Sequence, residues 1–331
     1  MGLGVCGVMA APNQPLEIKL ATILPRGLGQ DAVLKKLEQD WGKASSGTVA
    51  LKRAPGGEKD GEATIVRKLH SGNYQAALLS ATGLSEIAAE AGVLQMMPLV
   101  FRDWEEVDFV RQAIGSDLEQ KLRAKGFVLL FWADMGWVNF FSVRKATSPE
   151  EFKRMKMFSW AGNSKQVAIM KSLGYRPVAL ETDFIHSSFA QNMIEAAPLP
   201  PAFALGLQMQ KFASHALDMN WAPIVGAAVI RQDIWDKIPP DLQKQLRVHC
   251  DTAGRDIRAE GRKFHNDALH TLRKGPKTQV HTPSAEDREQ WHQLAAELGP
   301  KIRGQLVPAS SYDDVQRLLK EFRSSKASPQ F

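Results

Sequence analysis

Cysteine is scarce in this chain: only Cys6 and Cys250 occur among its 331 residues. If Cys6 leaves with an exported segment, Cys250 remains alone and no internal disulfide can form. A chain of this length does not need one, because it can bury the cores of two ordinary domains. Long apolar runs are also missing, and without about 18 consecutive apolar residues we expect no membrane-spanning helix.

Basic residues form no cluster. The 42 Lys and Arg residues are interleaved with 36 Asp and Glu residues, which leaves a net charge of +6. A nucleic-acid-binding surface would require a basic stripe on one face. The charge pattern is instead typical of a solvated surface, and we predict no nucleic-acid partner.

Catalytic and metal-binding motifs are absent from the sequence. It has no Gly-x-Ser-x-Gly turn, no phosphate-binding loop, no His-Glu-x-x-His pair and no paired cysteines. His265 and His270 lie five residues apart, a spacing that does not put two metal ligands on one helix face. His186 stands beside Ser187 and Ser188, but neighbours on a helix do not face each other. We therefore predict a protein that is not an enzyme and needs no cofactor or metal.

The start of the chain indicates export. Residues 3–11 are small and apolar, and a polar breaker follows them. This pattern is typical of the end of a secretory signal. We predict that residues 1–11 are a signal-peptide remnant and that the mature protein is periplasmic. Two alternatives stay open: a disordered cytoplasmic start, and a lipidation site at Cys6, which the bulky Val5 disfavours.

Strand and helix patterns alternate in the first half of the chain. Alternating or continuous apolar residues indicate strands, and apolar steps of three and four indicate helices. Strands are predicted at 16–22, 49–51, 75–79, 127–132 and 140–143, and helices at 31–44 and 62–70. This order is that of a doubly wound α/β sheet.

The same alternation returns after residue 146. Ser148, Pro149 and Glu151 form a helix-start pattern. Strands are predicted at 156–160, 177–180 and 194–197, and helices at 164–173 and 184–193. The chain therefore contains a second α/β unit.

A long helix follows both units. Apolar residues recur at steps of three, four or seven from Leu242 to Leu272, between Pro240 and Gly275. About 34 residues at 1.5 Å each reach roughly 50 Å, which is enough to brace two lobes. Further helices are predicted at 285–298 and 312–322, and the residues from Ser324 are predicted to be frayed.

Several short motifs, taken in order, resemble one protein family. They are the segment 18–21, Gly56-Gly57-Glu58, the segments 66–73 and 147–157, the segment 190–196, and the segment 235–244, which opens the long helix. The chain resembles a divergent member of the solute-binding proteins of tripartite ATP-independent periplasmic (TRAP) transporters, which include dicarboxylate and sialic acid binders. The resemblance covers roughly residues 16–322.

The resemblance implies an α/β architecture of the type II periplasmic-binding-protein fold, with two lobes and a long helix that braces both. We assign residues 14–137 plus 226–265 to the first lobe and residues 138–225 plus 266–285 to the second. Residues 286–324 are predicted to form C-terminal helices that pack across the lobes. Crossing strands near 137–141 and 222–228 would let the lobes hinge around a ligand.

The sequence departs from the family at the ligand site. The resemblance implies an arginine that grips a ligand carboxylate at the position of Phe158, and in some members a second arginine at the position of Val138. Polar residues that usually follow the segment around Glu195 are replaced by residues such as Leu199. Trp132, which lies at a predicted strand end, is one of four tryptophans expected near the crevice, so the missing clamp suggests an aromatic-lined pocket.

We predict that the ligand is a small apolar or aromatic molecule, captured between the lobes and delivered to integral membrane transporter subunits by a monomeric receptor. The predicted ligand-binding residues are Phe158, Trp160, Trp137, Val138, Leu199, Trp221, Ser80, Asn139, Asn163 and Arg144. Phe158, Trp160 and Trp137 would enclose the ligand. Ser80, Asn139 or Asn163 would supply sparse polar contacts.

Two alternatives remain at this stage. The aromatic residues could belong to the core, with Arg144, Lys165 or Arg26 binding a carboxylate instead. The protein could also be a ligand-binding subunit of a lipid-transport or efflux assembly of the cell envelope. Neighbouring genes would distinguish these assemblies from an uptake system.

Overall fold

The computed structural model describes residues 14–24, 26–27, 29–57 and 60–327. The predicted signal-peptide remnant, residues 1–11, and the possible lipidation site at Cys6 lie outside the described residues.

The first lobe is built on a five-stranded sheet. Its strands are β1 Leu16–Thr22, β2 Val49–Arg53, β3 Ala76–Ser80, β4 Phe127–Trp137 and β10 Pro223–Arg231, in the order β2-β1-β3-β10-β4. The helices of this lobe are α1 Gly29–Ala44, α2 Glu62–His70, α3 Ala81–Ser85, a 3-10 helix at Ala89–Leu94, α4 Trp104–Ala124 and α9 Gln232–Trp235. Helices cover both faces of the sheet, which explains why strands such as β3 are buried on both sides.

The second lobe is built on a six-stranded sheet. Its strands are β5 Asn139–Ser142, β6 Lys156–Trp160, β7 Arg176–Leu180, β8 Ala196–Leu199, β9 His215–Leu217 and β11 Gln279–His281, in the order β11-β9-β5-β8-β6-β7. Its helices are α5 Pro149–Lys153, α6 Ser164–Ser172, α7 Ile185–Ala190, α8 Pro201–Gly206, and 3-10 helices at Thr182–Phe184 and Met209–Lys211. The helix-start pattern at Ser148 is a capping box with Glu151.

The strand directions fix where the two lobes face each other. Val138 joins β4 of the first lobe to β5 of the second, and Asn139 at the start of β5 pairs with Leu199 at the end of β8. β6 runs parallel to β8 and β7 runs parallel to β6. The carboxyl ends of β6, β7 and β8 therefore lie on the side of the first lobe. We call the space between these ends and the carboxyl ends of β1, β2 and β3 the crevice.

Helix α10, Pro240–Lys274, braces both lobes. On the first lobe it packs so closely that a Cβ atom on Gly261 would lie 1.8 Å from the Asp134 carbonyl oxygen. At its other end, Leu272 joins the apolar core of the second lobe, and Arg273 forms an ion pair with Asp218. The type II fold with its bracing helix, predicted from the sequence, is the fold that the structure has.

Two helices near the C-terminus follow. Helix α11, Ala285–Ile302, packs on the second lobe, where the Trp291 indole N–H donates to the Thr147 carbonyl over 2.8 Å. Helix α12, Ala309–Ala327, packs on the first lobe through an ion pair between Arg323 and Glu106. The prediction of a frayed end from Ser324 is wrong for residues 324–327, because Lys326 pairs with Glu105 and holds the last turn.

None of the helices in the described part of the chain combines the length and the apolar character that a membrane span requires.

Candidate functional site

Phe158 is the middle residue of β6 and stands where the family resemblance implies an arginine. Its side chain is 8% exposed and belongs to an apolar cluster with Ile185, Phe189 and Leu199. An arginine here would place a guanidinium in this apolar layer, where it would need a charged partner. The position of the family arginine, called the clamp position below, is therefore occupied by a side chain that packs in the core.

Trp160 ends β6 at the crevice and is partly buried. Its indole N–H donates to the Glu181 carboxylate over 3.1 Å. The same carboxylate reaches the first lobe: its Oε2 lies 2.9 Å from the place that a Cβ atom on Gly61 would occupy. Trp160 and Glu181 thus form a pair that stands between the lobes.

Trp137, Val138 and Trp221 lie at the crossing between the lobes. Trp137 is 3% exposed and packs against Trp104, with ring centroids 5.1 Å apart. Trp221 packs against Trp291, and the backbone of Val138 and Trp221 is hydrogen-bonded over 3.0 Å. Trp137 belongs to one large core cluster and Trp221 packs against it. Both rings therefore support the crossing.

Polar groups at this crossing are used by the protein itself. The Trp137 backbone N–H donates to His265 Nδ1 over 3.3 Å, and burial lowers the pKa of His265 to about 4, which keeps the ring neutral. Asn139 is 1% exposed, and its amide lies between the backbone of the crossing strands. Away from the crossing, in the loop after β6, Asn163 caps α6 by accepting a hydrogen bond from the Gln166 N–H.

Ser80 stands at the crevice end of β3, beside a buried carboxylate. Its backbone N–H and its hydroxyl both donate to Glu62, over 2.5 and 2.6 Å, and its hydroxyl also caps α3. Burial raises the pKa of the Glu62 carboxyl, although hydrogen bonds from Ser80 and Gly83 act in the opposite direction. Both hydrogen bonds of the Ser80 hydroxyl are therefore made to other groups of the protein.

The structure does not bring Arg144 to the crevice. It follows β5 at the end remote from Asn139, where it pairs with Glu195 over 2.6 Å and also donates to the Arg154 carbonyl. The length of β5 separates it from the crevice. Arg144 holds loops together at the far end of the second sheet.

The other two basic residues considered for a carboxylate have protein partners. Lys165 on α6 donates to the Gln305 carbonyl over 3.2 Å. Arg26, in the loop after β1, donates to the Ala54 carbonyl over 3.4 Å and is exposed. Arg26 is the one of these two residues that follows a strand, β1, whose carboxyl end lies at the crevice.

The four tryptophans expected around one pocket therefore lie in different places. Trp137 and Trp221 pack at the crossing, Trp132 lies within β4 and packs against the first lobe's core, and Trp160 stands at the crevice. Sequence reasoning missed Glu181, the partner of Trp160. Its signal was available, because Glu181 directly follows a predicted strand and strand ends converge at the crevice.

Two surface cavities lie away from the crevice. One, of about 450 Å³, is at the opposite end of the first sheet, next to His70, Phe127 and Arg231. The other, of about 200 Å³, lies between Leu99 and the C-terminal helices. Within the described ranges, no three His, Cys, Asp or Glu side chains converge as a metal site would require.

Comparison with known proteins agrees with this architecture. A curated relative, the C4-dicarboxylate-binding periplasmic protein DctP of Rhodobacter capsulatus, is 23% identical over 310 residues, covering 89% of this chain and 90% of the relative. A TRAP periplasmic solute binding protein from Shewanella oneidensis, solved with bound succinate, has a TM-score of 0.83 at 17% identity and covers 92% of this chain and 99% of its own.

A second solved structure, from Pseudomonas putida F1 with bound D-glucuronate, has a TM-score of 0.80 at 20% identity and covers 92% of this chain and 96% of its own. The model of the family described as bacterial extracellular solute-binding protein, family 7, matches residues 21–304. Since this match spans most of the sequence, the chain belongs to that family, the solute receptors of TRAP transporters, as a divergent member.

Proposed function

We propose that this chain is the periplasmic receptor of a TRAP-type uptake system and that its ligand is a small molecule with an apolar or aromatic body. It captures this ligand in the crevice and delivers it to integral membrane subunits. It acts as a monomer and carries out no reaction on the ligand. The membership of an extracellular solute-binding family supports the receptor role.

The ligand class is inferred from Phe158, which occupies the position where the family resemblance implies an arginine. Phe158 lies in an apolar cluster, and the neighbouring strand end β8 contributes Leu199 to the same cluster. Trp160 adds a partly buried ring at the crevice. A carboxylate placed beside this apolar layer would lose its hydration without gaining a cationic partner, whereas an apolar body would not have this cost.

Hinge closure follows from the lobe organisation. We propose the boundaries 14–137 plus 226–265 for the first lobe and 138–225 plus 266–285 for the second, with residues 286–324 packing across them. The chain crosses between the lobes at Val138 and again before β10. A ligand that contacts both lobes favours the closed arrangement and shifts the population toward it.

Native mass spectrometry of freshly purified protein tests the proposed ligand class. We expect a co-purified neutral or amine-bearing molecule with an aromatic or aliphatic body. A co-purified dicarboxylate or sugar acid would contradict the apolar crevice while leaving the receptor role intact.

A second candidate function rests on Arg26. The curated relative is named for C4-dicarboxylate binding, and Arg26 is an exposed guanidinium in the loop that follows β1 at the crevice. If this chain binds a carboxylate through Arg26, succinate should raise the thermal unfolding midpoint of the wild type and not of Arg26→Gln. Arg144→Gln is the matched control, since Arg144 lies at the far end of the second sheet.

A further inference from the structure

Glu181 stands where the two lobes approach each other. It follows the last residue of β7 at the crevice and accepts the Trp160 indole N–H over 3.1 Å. Its Oε2 also lies 2.9 Å from the place of a Cβ atom on Gly61, a residue of the first lobe. A ligand that fills the crevice between these lobes therefore meets this carboxylate.

The start of α2 explains why a carboxylate is tolerated there. Gly61 is the residue before this helix, and no side chain caps it. The first backbone N–H groups of a helix carry partial positive charge, which favours an anionic neighbour. Glu62, the first residue of the helix, turns inward to Ser80 and does not occupy this place. The absence of a Cβ on Gly61 gives Glu181 the space to approach.

Two basic side chains at the crevice end of the first sheet, within the described ranges, have protein partners. Arg53, at the end of β2, is buried and pairs with Asp31, and Arg26 donates to the Ala54 carbonyl. The clamp position holds Phe158. The second lobe thus presents an indole ring and a carboxylate at the crevice.

We propose that Glu181 is a specificity-determining residue, which makes the crevice select ligands that carry a cationic amino group on an apolar or aromatic body. This inference rests on the proposed receptor function. Glu181 is exposed, so a ligand carboxylate beside it is repelled by a like charge, whereas an ammonium group forms an ion pair with it. The Trp160 ring offers the same ammonium a favourable face.

Three probes of matched shape test the charge preference by isothermal titration calorimetry: phenethylamine, phenylacetamide and phenylacetate. For the wild type we expect the amine to bind at least about tenfold more tightly than the carboxylate, with the amide between them. In Glu181→Gln, which keeps an acceptor for the Trp160 N–H, amine affinity should fall by about tenfold and amide affinity by less than about twofold.

Asp183→Asn is the matched control, because Asp183 is an exposed acid in the same connection. It should leave all three affinities unchanged. Equal affinity of the wild type for amine and carboxylate, or an equal loss for all three probes in Glu181→Gln, would overturn the charge role. If none of the three probes binds the wild type, the apolar crevice of the proposed function fails instead.

Discussion

The two lobes differ in how they bury charge. In the first lobe the buried charged side chains are Asp31, Arg53, Glu62, Glu106, Arg111 and Asp134. In the second lobe the buried polar side chains are all uncharged within the described residues, namely Asn139, Ser142, Ser159, Ser188 and Thr278. The two lobes share the α/β layering, but only the first lobe buries charged side chains among the described residues.

The buried charges of the first lobe have charged partners, except Glu62, whose partners are the neutral groups of Ser80 and Gly83. Asp134 is fully buried and accepts from Arg111 and Arg262, at 2.6 Å in each ion pair. Asp31 pairs with Arg53, which also donates to the Leu24 carbonyl. Charge can be buried only where such partners surround it. The cluster around Phe158 in the second lobe is apolar and, within the described part of the chain, offers no charged partner. An arginine at this position would therefore be buried without a carboxylate to pair with.

The largest effect is expected from breaking the charge network of the first lobe. Asp134→Ala leaves Arg111 and Arg262 without their shared buried carboxylate. The free energy of unfolding should fall by about 3–5 kcal/mol, measured by urea denaturation. Asp183→Ala, at an exposed acid of the second lobe, is the control and should change it by less than about 0.5 kcal/mol. A small effect of Asp134→Ala would mean that the network is not a source of stability.

The apolar interior of the second lobe is tested at Phe158. Phe158→Ala removes a buried ring and should lower the free energy of unfolding by about 3 kcal/mol, as urea denaturation would show. Phe184→Ala is the matched control, because the Phe184 side chain is 58% exposed. Similar losses for both variants would argue that Phe158 is not packed in the core.

The buried acids of the first lobe predict opposite pH dependences. Burial by itself raises the pKa of Asp31, but hydrogen bonds from Gly27, Lys35 and Arg53 outweigh it and lower this pKa from 3.8 to about 2. A lowered folded-state pKa contributes stability above pH 3.8 that is lost as the pH falls toward 2. The stability advantage of wild type over Asp31→Asn should therefore shrink by about 2 kcal/mol across that window.

Glu62 predicts the opposite pH dependence of stability. Burial raises its pKa above 4.5, so its ionisation weakens the fold as the pH rises through that folded-state value. Glu62→Gln should remove this decline, measured as urea midpoints between pH 4 and pH 7. A wild-type midpoint that falls equally with and without the substitution would contradict the assignment to Glu62.

The smallest effect is expected from the exposed pair of the second lobe. Arg144 is about half exposed and Glu195 is partly exposed, so their separation should cost less than about 1 kcal/mol, because water and salt screen such ion pairs. Arg144→Gln should also leave ligand affinity unchanged. A loss of affinity in calorimetry would show that Arg144 acts on the crevice from a distance.

Much of the fold could be predicted from periodicity. Strand 16–22, helix 62–70 and strand 156–160 have the predicted bounds. Helix α4 was not predicted, although Val107, Val110 and Leu118 are buried at helical spacing. The strand predicted at 194–197 lies at Ala196–Leu199, and Glu195 just before it already bonds to Lys156 of the neighbouring strand.

The candidate site was less accessible to sequence reasoning. Tryptophans near strand ends were expected to converge on one pocket, yet Trp137 packs against Trp104, and α11 offers Trp291 as a partner for Trp221. The role proposed for Glu181 depends on its closeness to Gly61, a residue far away in the chain. No local pattern encodes such a contact.

The order of apolar and polar residues was enough to determine two α/β units, a bracing helix and the loss of the family arginine at Phe158, since these follow from local spacing and identity. Only the tertiary structure decided that Arg144 lies at the far end of its sheet and that Trp160 and Glu181 stand between the lobes. Strand order and direction set these places, and they depend on long-range pairing that sequence spacing does not specify.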